Sequence, residues 1–347
     1  MSKINVAIVG TGIFASKAHL PVLQKSEYFT PYSCYNRTKA KAEEFAKKDA
    51  NIEKVYDTLE AVFEDPNVDL VDALLPVQYN VDALKLAVTH KKNICLEKPI
   101  AANIDQAKEL VQLARDHPEI SVTILEHWSY YKAVTELSNA IAQIGTVYSF
   151  TYHATGPFNY DNAYLNTSWR QKPEHVGGFL SDGGVHQLAF LTGVLGNIKT
   201  VSAHTRQVRE QSGTDDIAYA LLETEAGQIG TFTYGSAFGN TKKSCFFEIL
   251  GDNGSVYHDF SPGSDRSITL RLGGATASTK NEEHVIPIKN EYVSVDREFE
   301  VLGQALSSNN WSLIKTTPEV CFHHLSIVDA IVRSSEKNGA LVEVTKP

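Results

Sequence analysis

The chain has 347 residues, of which 42% are hydrophobic and 21% charged, a composition typical of a globular protein with one large or two ordinary domains. Its net charge of -9 argues against nucleic acid as a partner, because phosphate binding needs clustered Lys and Arg. No apolar run reaches membrane-spanning length, and the start of the chain does not resemble a signal peptide. The four cysteines are scattered without a CxxC pair, so we expect reduced thiols, a cytoplasmic location and no membrane partner.

A glycine pattern follows the first β-rich run, residues 3–9. It reads Gly10-Thr-Gly-Ile-Phe-Ala15, a G-x-G-x-x-A sequence placed directly after a predicted strand. Gly10 would make the tight turn, Gly12 would let backbone N–H groups approach a pyrophosphate, and Ala15 would let the next helix pack closely. A purely structural turn is the alternative. The residues predicted to contact a dinucleotide here are Gly10, Gly12, Ile13, Phe14 and Ala15.

The end of the second strand candidate, residues 31–35, bears on the choice of cofactor. NAD-selective sites usually carry Asp or Glu about 20 residues beyond the glycines, to accept from the ribose hydroxyls. This chain has Asn36 there, followed by Arg37, whose guanidinium could pair with a 2′-phosphate. Thr38 is also expected to cap the helix over 39–48. We predict NADP(H) in preference to NAD(H), with Asn36, Arg37 and Thr38 as contacts.

The order of the predicted elements indicates two domains. Strands and helices alternate up to residue 126, which predicts a Rossmann domain over 1–126: a doubly wound, mostly parallel sheet with helices on both faces. Over 127–347 strand-like runs follow one another with few helices, which predicts a C-terminal α+β domain with a large, mostly antiparallel sheet. We expect a helix over 133–144 that ends at Gly145, and a surface loop over 277–283.

Lys98 follows the strand candidate 93–96 and precedes Pro99. Proline pushes the preceding residue out of the helical region, so Lys98 should lie in an extended or turn conformation. Ligands of open α/β sheets bind outside the carboxyl ends of the strands, where we also expect residues 11–14 and 76–78. A solvated Glu97–Lys98 pair before a loop proline is the alternative. The cofactor contacts predicted from this edge are Pro76, Gln78, Asn80, Glu97 and Lys98.

The second chemically informative stretch is Gly177-Gly178 followed by Asp182-Gly-Gly-Val-His186. If this stretch enters a helix near Asp182, then Asp182 and His186 are four residues apart and share one side. A carboxylate one turn from an imidazole fixes its orientation and favours proton transfer near neutral pH. The alternative is that Asp182 only caps the helix while His186 packs in the core.

No metal site is expected. None of the other histidines forms an H-E-x-x-H or comparable ligand spacing. His323 and His324 are adjacent on a predicted helix, so their side chains should diverge.

Together, the glycine loop, Glu97-Lys98-Pro99 and Gly177-Gly178…Asp182-x-x-x-His186 resemble the Gfo/Idh/MocA family (glucose–fructose oxidoreductase, inositol dehydrogenase, rhizopine catabolism), most of all its NADP-dependent fungal members. The resemblance implies a C-terminal α/β domain for substrate binding and assembly into a homodimer or homotetramer through its sheet. It also implies that Lys98, Asp182 and His186 are the catalytic residues, with His186 as acid/base. Trp169-Arg170 would lie near the nicotinamide.

The chain departs from the family pattern around the substrate. Val77 and Asn80 stand where Asn and His are common, and Ala189 replaces a frequent acidic residue. Glu126-His127-Trp128 replaces an Asn followed by an Arg-containing loop. The aromatic residues Trp128, Tyr130, Tyr131, Phe158, Tyr160 and Trp169 could favour a flat ligand or belong to the core. The predicted substrate contacts are His127, Tyr130 and Tyr160.

We therefore expect an NADP(H)-dependent oxidoreductase that transfers a hydride between the nicotinamide and a small polyhydroxylated or carbonyl substrate, such as a sugar, polyol or derivative. One alternative is a non-catalytic NADP(H)-binding sensor, although a sensor has no need of Lys98, Asp182 and His186 together. Another alternative is an oxidoreductase for a dihydrodiol or other non-sugar substrate.

Overall fold

The computed structural model describes residues 3–162, 172–274, 276, 278–288 and 295–347. The chain forms two compact units, Met1–Tyr130 with Val293–Phe322 and Tyr131–Tyr292 with His323–Lys346. The sequence patterns indicated a single boundary after residue 126 and gave no sign that a late segment packs with the first unit. In the described part of the chain, no helix combines the length and apolar character needed to cross a membrane.

The first unit contains a six-stranded sheet in the order β3-β2-β1-β4-β5-β6. All neighbouring strands pair in parallel, which confirms the predicted Rossmann sheet. The central strands are apolar runs buried on both faces, as expected for a parallel sheet. The strands are β1 (Ile4–Val9), β2 (Phe29–Tyr35), β3 (Lys54–Val55), β4 (Leu70–Ala73), β5 (Asn93–Glu97) and β6 (Val122–Leu125).

Two helices of the first unit begin at side-chain caps that the sequence supplies. The side chains of Thr58 and Asn103 accept hydrogen bonds from the N–H groups of Ala61 and Gln106. Thr38 is the N-cap of the helix that starts at Lys39, as predicted, but its side chain makes no capping hydrogen bond. The helices are α1 (Leu20–Lys25), α2 (Lys39–Ala46), α3 (Leu59–Glu64), α4 (Asn80–His90), α5 (Ile104–Asp116) and, late in the chain, α8 (Asp296–Ser308).

Helix α8 completes the core of the first unit. Phe299 and Leu302 on α8 pack with Val6 of β1, Leu23 of α1 and Phe29 of β2, all of them buried. The alternation of strands and helices ends long before α8. The place of α8 in this core therefore depends on packing between apolar side chains that are distant in the sequence, which no local pattern encodes.

The second unit contains a nine-stranded sheet in the order β14-β13-β12-β11-β7-β10-β9-β8-β15. Among its neighbouring pairs only β7 and β10 run parallel, which confirms the prediction of a mostly antiparallel sheet. The strands are β7 (Val147–Pro157), β8 (Ile198–Arg206), β9 (Ile217–Thr224), β10 (Ile229–Phe238), β11 (Ser244–Gly251), β12 (Gly254–Asp259), β13 (Ile268–Leu272), β14 (Glu282–Ile286) and β15 (Val342–Glu343).

Two local predictions for this region were wrong. Residues 282–286 pair with β13 as an edge strand, although the polar sequence predicted a loop over 277–283. Cross-strand pairs such as Arg271 with Glu283 support this strand without an apolar pattern. Helix α6 (Lys132–Ile141) ends before Gly145, whose φ of 76° instead serves the turn into β7. The unit also contains α7 (Phe179–Leu195) and most of α9 (Pro318–Glu336).

Candidate active site

Gly10 and Gly12 of the first loop are glycines for different structural reasons. Gly10 has a φ of 94°, and a Cβ there would collide with the carbonyl oxygen of Leu74, so the tight turn requires glycine. Its N–H donates to the carbonyl of Tyr35 at 2.8 Å, which fixes the loop to the end of β2. A Cβ on Gly12 would meet nothing within 4 Å. Gly12 therefore leaves open space beside the backbone, which fits the approach of a pyrophosphate.

A short π-helical turn, Ala15–His19, connects the loop to α1. The predicted helix is present despite Pro21, because proline is tolerated in a first turn. The π-helical turn was not predicted, and such turns are frequent at functional sites. It places His19 at the start of α1 with its side chain fully buried.

The end of β2 holds the residues predicted to select the cofactor. Asn36 donates from Nδ2 to the hydroxyl of Thr11 at 3.0 Å and accepts the N–H of Thr38, so it joins this strand end to the glycine loop. Lys39 pairs with Asp57 at 2.6 Å. Arg37 is exposed and has no ion pair in the described part of the chain. Its guanidinium is therefore available to an anionic group at this strand end.

Lys98 lies directly after β5, which ends at Glu97. Because β1, β4 and β5 are parallel neighbours, the glycine loop, the turn after β4 and Lys98 lie at the same edge of the sheet. This confirms the predicted strand-end position of Lys98. The Lys98–Pro99 peptide bond is cis.

Asn80, predicted to contact the cofactor, is instead fully buried. Its Nδ2 donates to the carbonyl oxygens of Glu97, Pro99 and Ile100 at 3.2, 3.3 and 3.1 Å. The geometry gives Asn80 a positioning role, because it holds the backbone on both sides of Lys98. Pro76 and Gln78 follow the end of β4. Pro76 precedes a 3-10 turn (Val77–Tyr79) that contains Gln78 and leads into α4.

A buried charged group beneath this edge was missed by the sequence reasoning. His19 contacts Asp72 of β4 through Nδ1 at 2.8 Å and Glu97 through Nε2 at 3.1 Å. Burial alone would lower the pKa of His19, but the two carboxylates outweigh it and raise the pKa to about 10. The signal for this group was Asp72 itself, since a carboxylate inside the apolar run 70–75 must have a partner.

Asp182 and His186 lie on α7, as predicted. Gly178 is the N-cap, and the hydroxyl of Thr214 accepts the N–H of Phe179 at 3.2 Å. The N–H of Asp182 donates to the carbonyl of Gly178 at 2.9 Å, so Asp182 belongs to the first turn and is not the cap. Asp182 and His186 are both partly exposed and, four residues apart, share one side of the helix.

A cavity of about 570 Å³ opens beside Asp182 within the second unit. This volume is in the range of small-molecule sites, and the lining combines aromatic rings with amide, hydroxyl and charged groups. Members that bear on its chemistry are Phe158, Asn159, His175, Asp182, Tyr234 and Lys243.

Tyr234 of β10 is a second residue that sequence reasoning missed. Its ring stacks with Phe179 and Phe232 at centroid distances of 5.9 and 6.5 Å, and a Cβ on Gly183 would collide with its hydroxyl. The hydroxyl therefore lies against the turn that carries Asp182. Burial, and then the charge of Asp182, raises the pKa of Tyr234, which keeps it a neutral donor beside the cavity.

The surroundings of the remaining predicted site residues differ. Tyr130 is buried, and its hydroxyl accepts the N–H of Lys315 at 3.1 Å and contacts Thr316, which is a structural role. Tyr160 is exposed and packs edge-on against Phe158. His127 is half-buried at the start of a 3-10 turn after β6. Trp169 and Arg170 lie outside the described residues.

Known proteins share both halves of this arrangement. Residues 4–124 match the model of the oxidoreductase family's NAD-binding Rossmann fold, and residues 139–344 match that of its C-terminal alpha/beta domain. The uncharacterized protein YMR315W of Saccharomyces cerevisiae is 48% identical over 351 residues, covering 100% of both chains. An oxidoreductase structure from Thermotoga maritima superposes with a TM-score of 0.85 and 32% identity over 99% of each chain.

Two further relatives carry names that specify a substrate. Trans-1,2-dihydrobenzene-1,2-diol dehydrogenase of Bos taurus is 29% identical over 230 residues, which cover 65% of this chain and 66% of that protein. D-xylose 1-dehydrogenase (NADP(+)) 2 of Haloferax volcanii is 24% identical over 340 residues, covering 97% and 98%. With both domain models matched, the chain belongs to the Gfo/Idh/MocA family of oxidoreductases.

Proposed function

We propose that this oxidoreductase uses NADP(H) to interconvert a CH–OH and a C=O group in a small polyhydroxylated substrate such as a sugar, a polyol or a sugar derivative. The observation that carries the proposal is the cavity beside Asp182, whose lining offers hydroxyl, amide and charged groups to such a ligand. The name of the Haloferax relative supports both the sugar and the NADP assignments. Four buried free cysteines fit a reducing compartment such as the cytoplasm.

The chain's own residues divide the chemistry between charge stabilisation and proton transfer. When bound, the nicotinamide cofactor supplies or accepts the hydride at the substrate carbon. The ammonium of Lys98 stabilises the negative charge that develops on the substrate oxygen. His186 donates the proton that this oxygen takes up on reduction and accepts it again on oxidation, while Asp182 orients the imidazole.

Preference for NADP(H) depends on Arg37. Asn36 offers an amide where NAD-selective sites carry a carboxylate, and Lys39 is already paired with Asp57. Arg37 can meet a 2′-phosphate with two parallel N–H groups, which a lysine cannot do.

The test is turnover of NADPH or NADP⁺ with a panel of aldoses, ketoses, polyols, diketones and aromatic dihydrodiols. We expect at least one polyhydroxylated compound to be converted, and we expect Lys98→Met and His186→Ala to abolish most of that activity. Lys108→Met, which removes an exposed cation elsewhere in the first unit, serves as the matched control. NADPH binding without turnover of any compound would instead support a sensor.

A dihydrodiol substrate is the second candidate, since the bovine relative bears that name and Phe158 and Phe179 line the cavity. Aromatic faces pack well against a flat ring. Conversion of the dihydrodiols alone, with no activity toward sugars or polyols, would favour this candidate over the first.

We also propose that the chain assembles into a homodimer or homotetramer through the second sheet. Along β9 and β10, the side chains opposite the buried face include Tyr219, Leu221 and Ile229, which are 49%, 54% and 57% exposed. Neighbouring apolar side chains of this kind favour a protein partner. Light scattering should show an oligomer that Leu221→Glu dissociates and that Leu313→Glu, which changes an exposed leucine of the first unit, leaves intact.

A further inference from the structure

The buried histidine of the first unit joins three elements that meet beneath the Lys98 turn. His19 ends the turn after the glycine loop, Asp72 lies on β4, and Glu97 is the last residue of β5. The side chains of His19 and Asp72 are 0% exposed and that of Glu97 is 14% exposed. The rings of Phe14 and Phe299 pack edge-on against the imidazole at 5.0 and 5.2 Å, so aromatic surfaces surround the two contacts.

The imidazole of this group is protonated over the ordinary pH range. Since the pKa of His19 is about 10, an imidazolium lies between two carboxylates at neutral pH. Cys95 donates from Sγ to the other oxygen of Asp72 at 3.6 Å, and burial keeps its thiol protonated by raising its pKa. Glu298 of α8 faces the same region, where burial and then the charges of Glu97 and Glu126 raise its pKa well above the usual range.

A buried ionic group of this kind is a poor source of stability. Desolvation of each ion costs several kcal/mol, and apolar replacements of such groups are often as stable or more so. Such a group can instead fix the positions of its members, because each partner accepts only a narrow range of positions. Here the geometry concerns Glu97, the residue immediately before Lys98.

The backbone that carries Lys98 is held from two directions. The imidazolium fixes the side chain of Glu97, and the amide of Asn80 fixes the carbonyl oxygens of Glu97, Pro99 and Ile100. His19 also belongs to the turn whose Ser16 N–H donates to the carbonyl of Gly12 at 3.1 Å. One imidazolium therefore links the cofactor loop to the lysine turn.

We propose that His19 is a positioning residue that acts through Glu97 to hold the Lys98 turn in register with the glycine loop. The proposal rests on the proposed function, since it assigns Lys98 to the reaction. His19 adds to that function a residue that touches neither substrate nor cofactor. It couples the glycine loop, which would contact the cofactor, to the Lys98 turn, which would contact the substrate.

The first experiment compares His19→Gln, Lys98→Met and the double variant, with kcat and the KM values for substrate and NADPH. We expect His19→Gln to lower kcat about 10- to 100-fold, because small misplacements of a reacting group cost that much. In the Lys98→Met background the same change should lower kcat less than about twofold, since a residue that acts through Lys98 has nothing left to position. Equal effects in both backgrounds would overturn the proposal.

A second measurement does not depend on turnover. Reductive ¹³C-methylation and NMR follow the titration of Lys98, whose signal is assigned by its loss in Lys98→Met. We expect His19→Gln to shift this titration and His323→Gln, which changes a partly buried histidine of the second unit, to leave it unchanged. Absence of turnover in the wild type would defeat the proposed function, whereas an unchanged Lys98 titration would defeat the positioning role.

Glu97→Gln provides a second route if His19→Gln does not fold. It removes the charge that faces Nε2 while keeping the side-chain volume. Like His19→Gln, Glu97→Gln should lower kcat much less in the Lys98→Met background than in the wild type. It should also shift the titration of Lys98. An unshifted titration together with wild-type kcat would count against the proposal.

Discussion

At the carboxyl edge of the first sheet, polar side chains are committed to one another: Asn80 donates to the backbone around Lys98, His19 bridges two carboxylates, and Asn36 donates to the glycine loop. In the cavity of the second unit, by contrast, polar side chains such as Tyr234 line open space. The first region thus has its geometry set before any ligand arrives. The second region surrounds open space, where a ligand can meet its polar side chains.

This difference matches the two tasks. A cofactor presents the same groups in every turnover, so a rigid, internally bonded region suits it. Substrate recognition depends on polar groups that stay unpaired until the right ligand fills them, because a ligand that leaves them unpaired is rejected. Changes to the internal hydrogen bonds of the first region should therefore alter stability and the position of Lys98, and changes to the cavity lining should alter the affinity for the substrate.

The largest expected effect is on proton transfer by His186 of α7. His186→Ala should lower kcat about 100- to 10,000-fold while NADPH affinity stays within about threefold, since general acid–base catalysis supplies that much. Stopped-flow turnover and NADPH fluorescence titration check this. His204→Ala, an exposed histidine on β8, is the control. Wild-type kcat in His186→Ala would remove His186 from the mechanism.

The contact between Gly183 and Tyr234 should be the next most sensitive feature. Gly183→Ala places a methyl group where the tyrosine hydroxyl lies, so we expect a loss of about 1–3 kcal/mol in stability and about a tenfold rise in substrate KM. Gly239→Ala, whose Cβ would meet nothing, should be neutral.

The double variant isolates this contact. Tyr234→Phe removes the hydroxyl, so Gly183→Ala should be tolerated in that background. If the methyl group is equally harmful with phenylalanine at 234, the hydroxyl is not what requires glycine at 183.

In the first region, the free energy of unfolding should reveal the buried imidazolium. A histidine whose folded pKa is raised contributes stability that is complete below its unfolded value of about 6.5 and is lost as pH rises through the folded value. The difference between wild type and His19→Gln in urea unfolding should therefore shrink by about 1–3 kcal/mol between pH 6.5 and 10.

His323 provides the matched control for this pH dependence. Burial lowers its pKa to about 4, so any contribution that it makes changes only on the acid side of 6.5. The difference between wild type and His323→Gln should stay constant from pH 6.5 to 10. A constant difference for His19→Gln as well would show that His19 is neutral in the folded protein.

The smallest effect concerns cofactor choice. Arg37→Ala should weaken NADPH binding about tenfold and leave NADH binding unchanged, because only NADPH carries the 2′-phosphate. Isothermal titration measures both affinities, with Lys39→Ala as the control for an already paired cation. Equal losses for NADPH and NADH would contradict the phosphate contact.

The sequence predicted those features that depend on local pattern. Alternating strands and helices indicated the parallel sheet, and because parallel strands end at one edge, the position of Lys98 followed. The four-residue spacing likewise placed Asp182 and His186 on one side of α7.

The features that were not predicted depend on pairs far apart in the chain. His19 meets Glu97 across 78 residues, and the hydroxyl of Tyr234 lies against Gly183, which is 51 positions earlier in the chain. No periodicity encodes such pairs. Asn80 was assigned to the cofactor because a strand end suggests a ligand, whereas its buried amide serves the backbone.

The backbone around Lys98 depends on a single amide, that of Asn80. Its two N–H groups serve three carbonyl oxygens, so a carboxylate in its place would face all three without a proton to donate. The buried carbonyls would then meet a negative charge where they had met a proton donor. The exchange of one nitrogen for an oxygen at residue 80 would thus release the lysine turn.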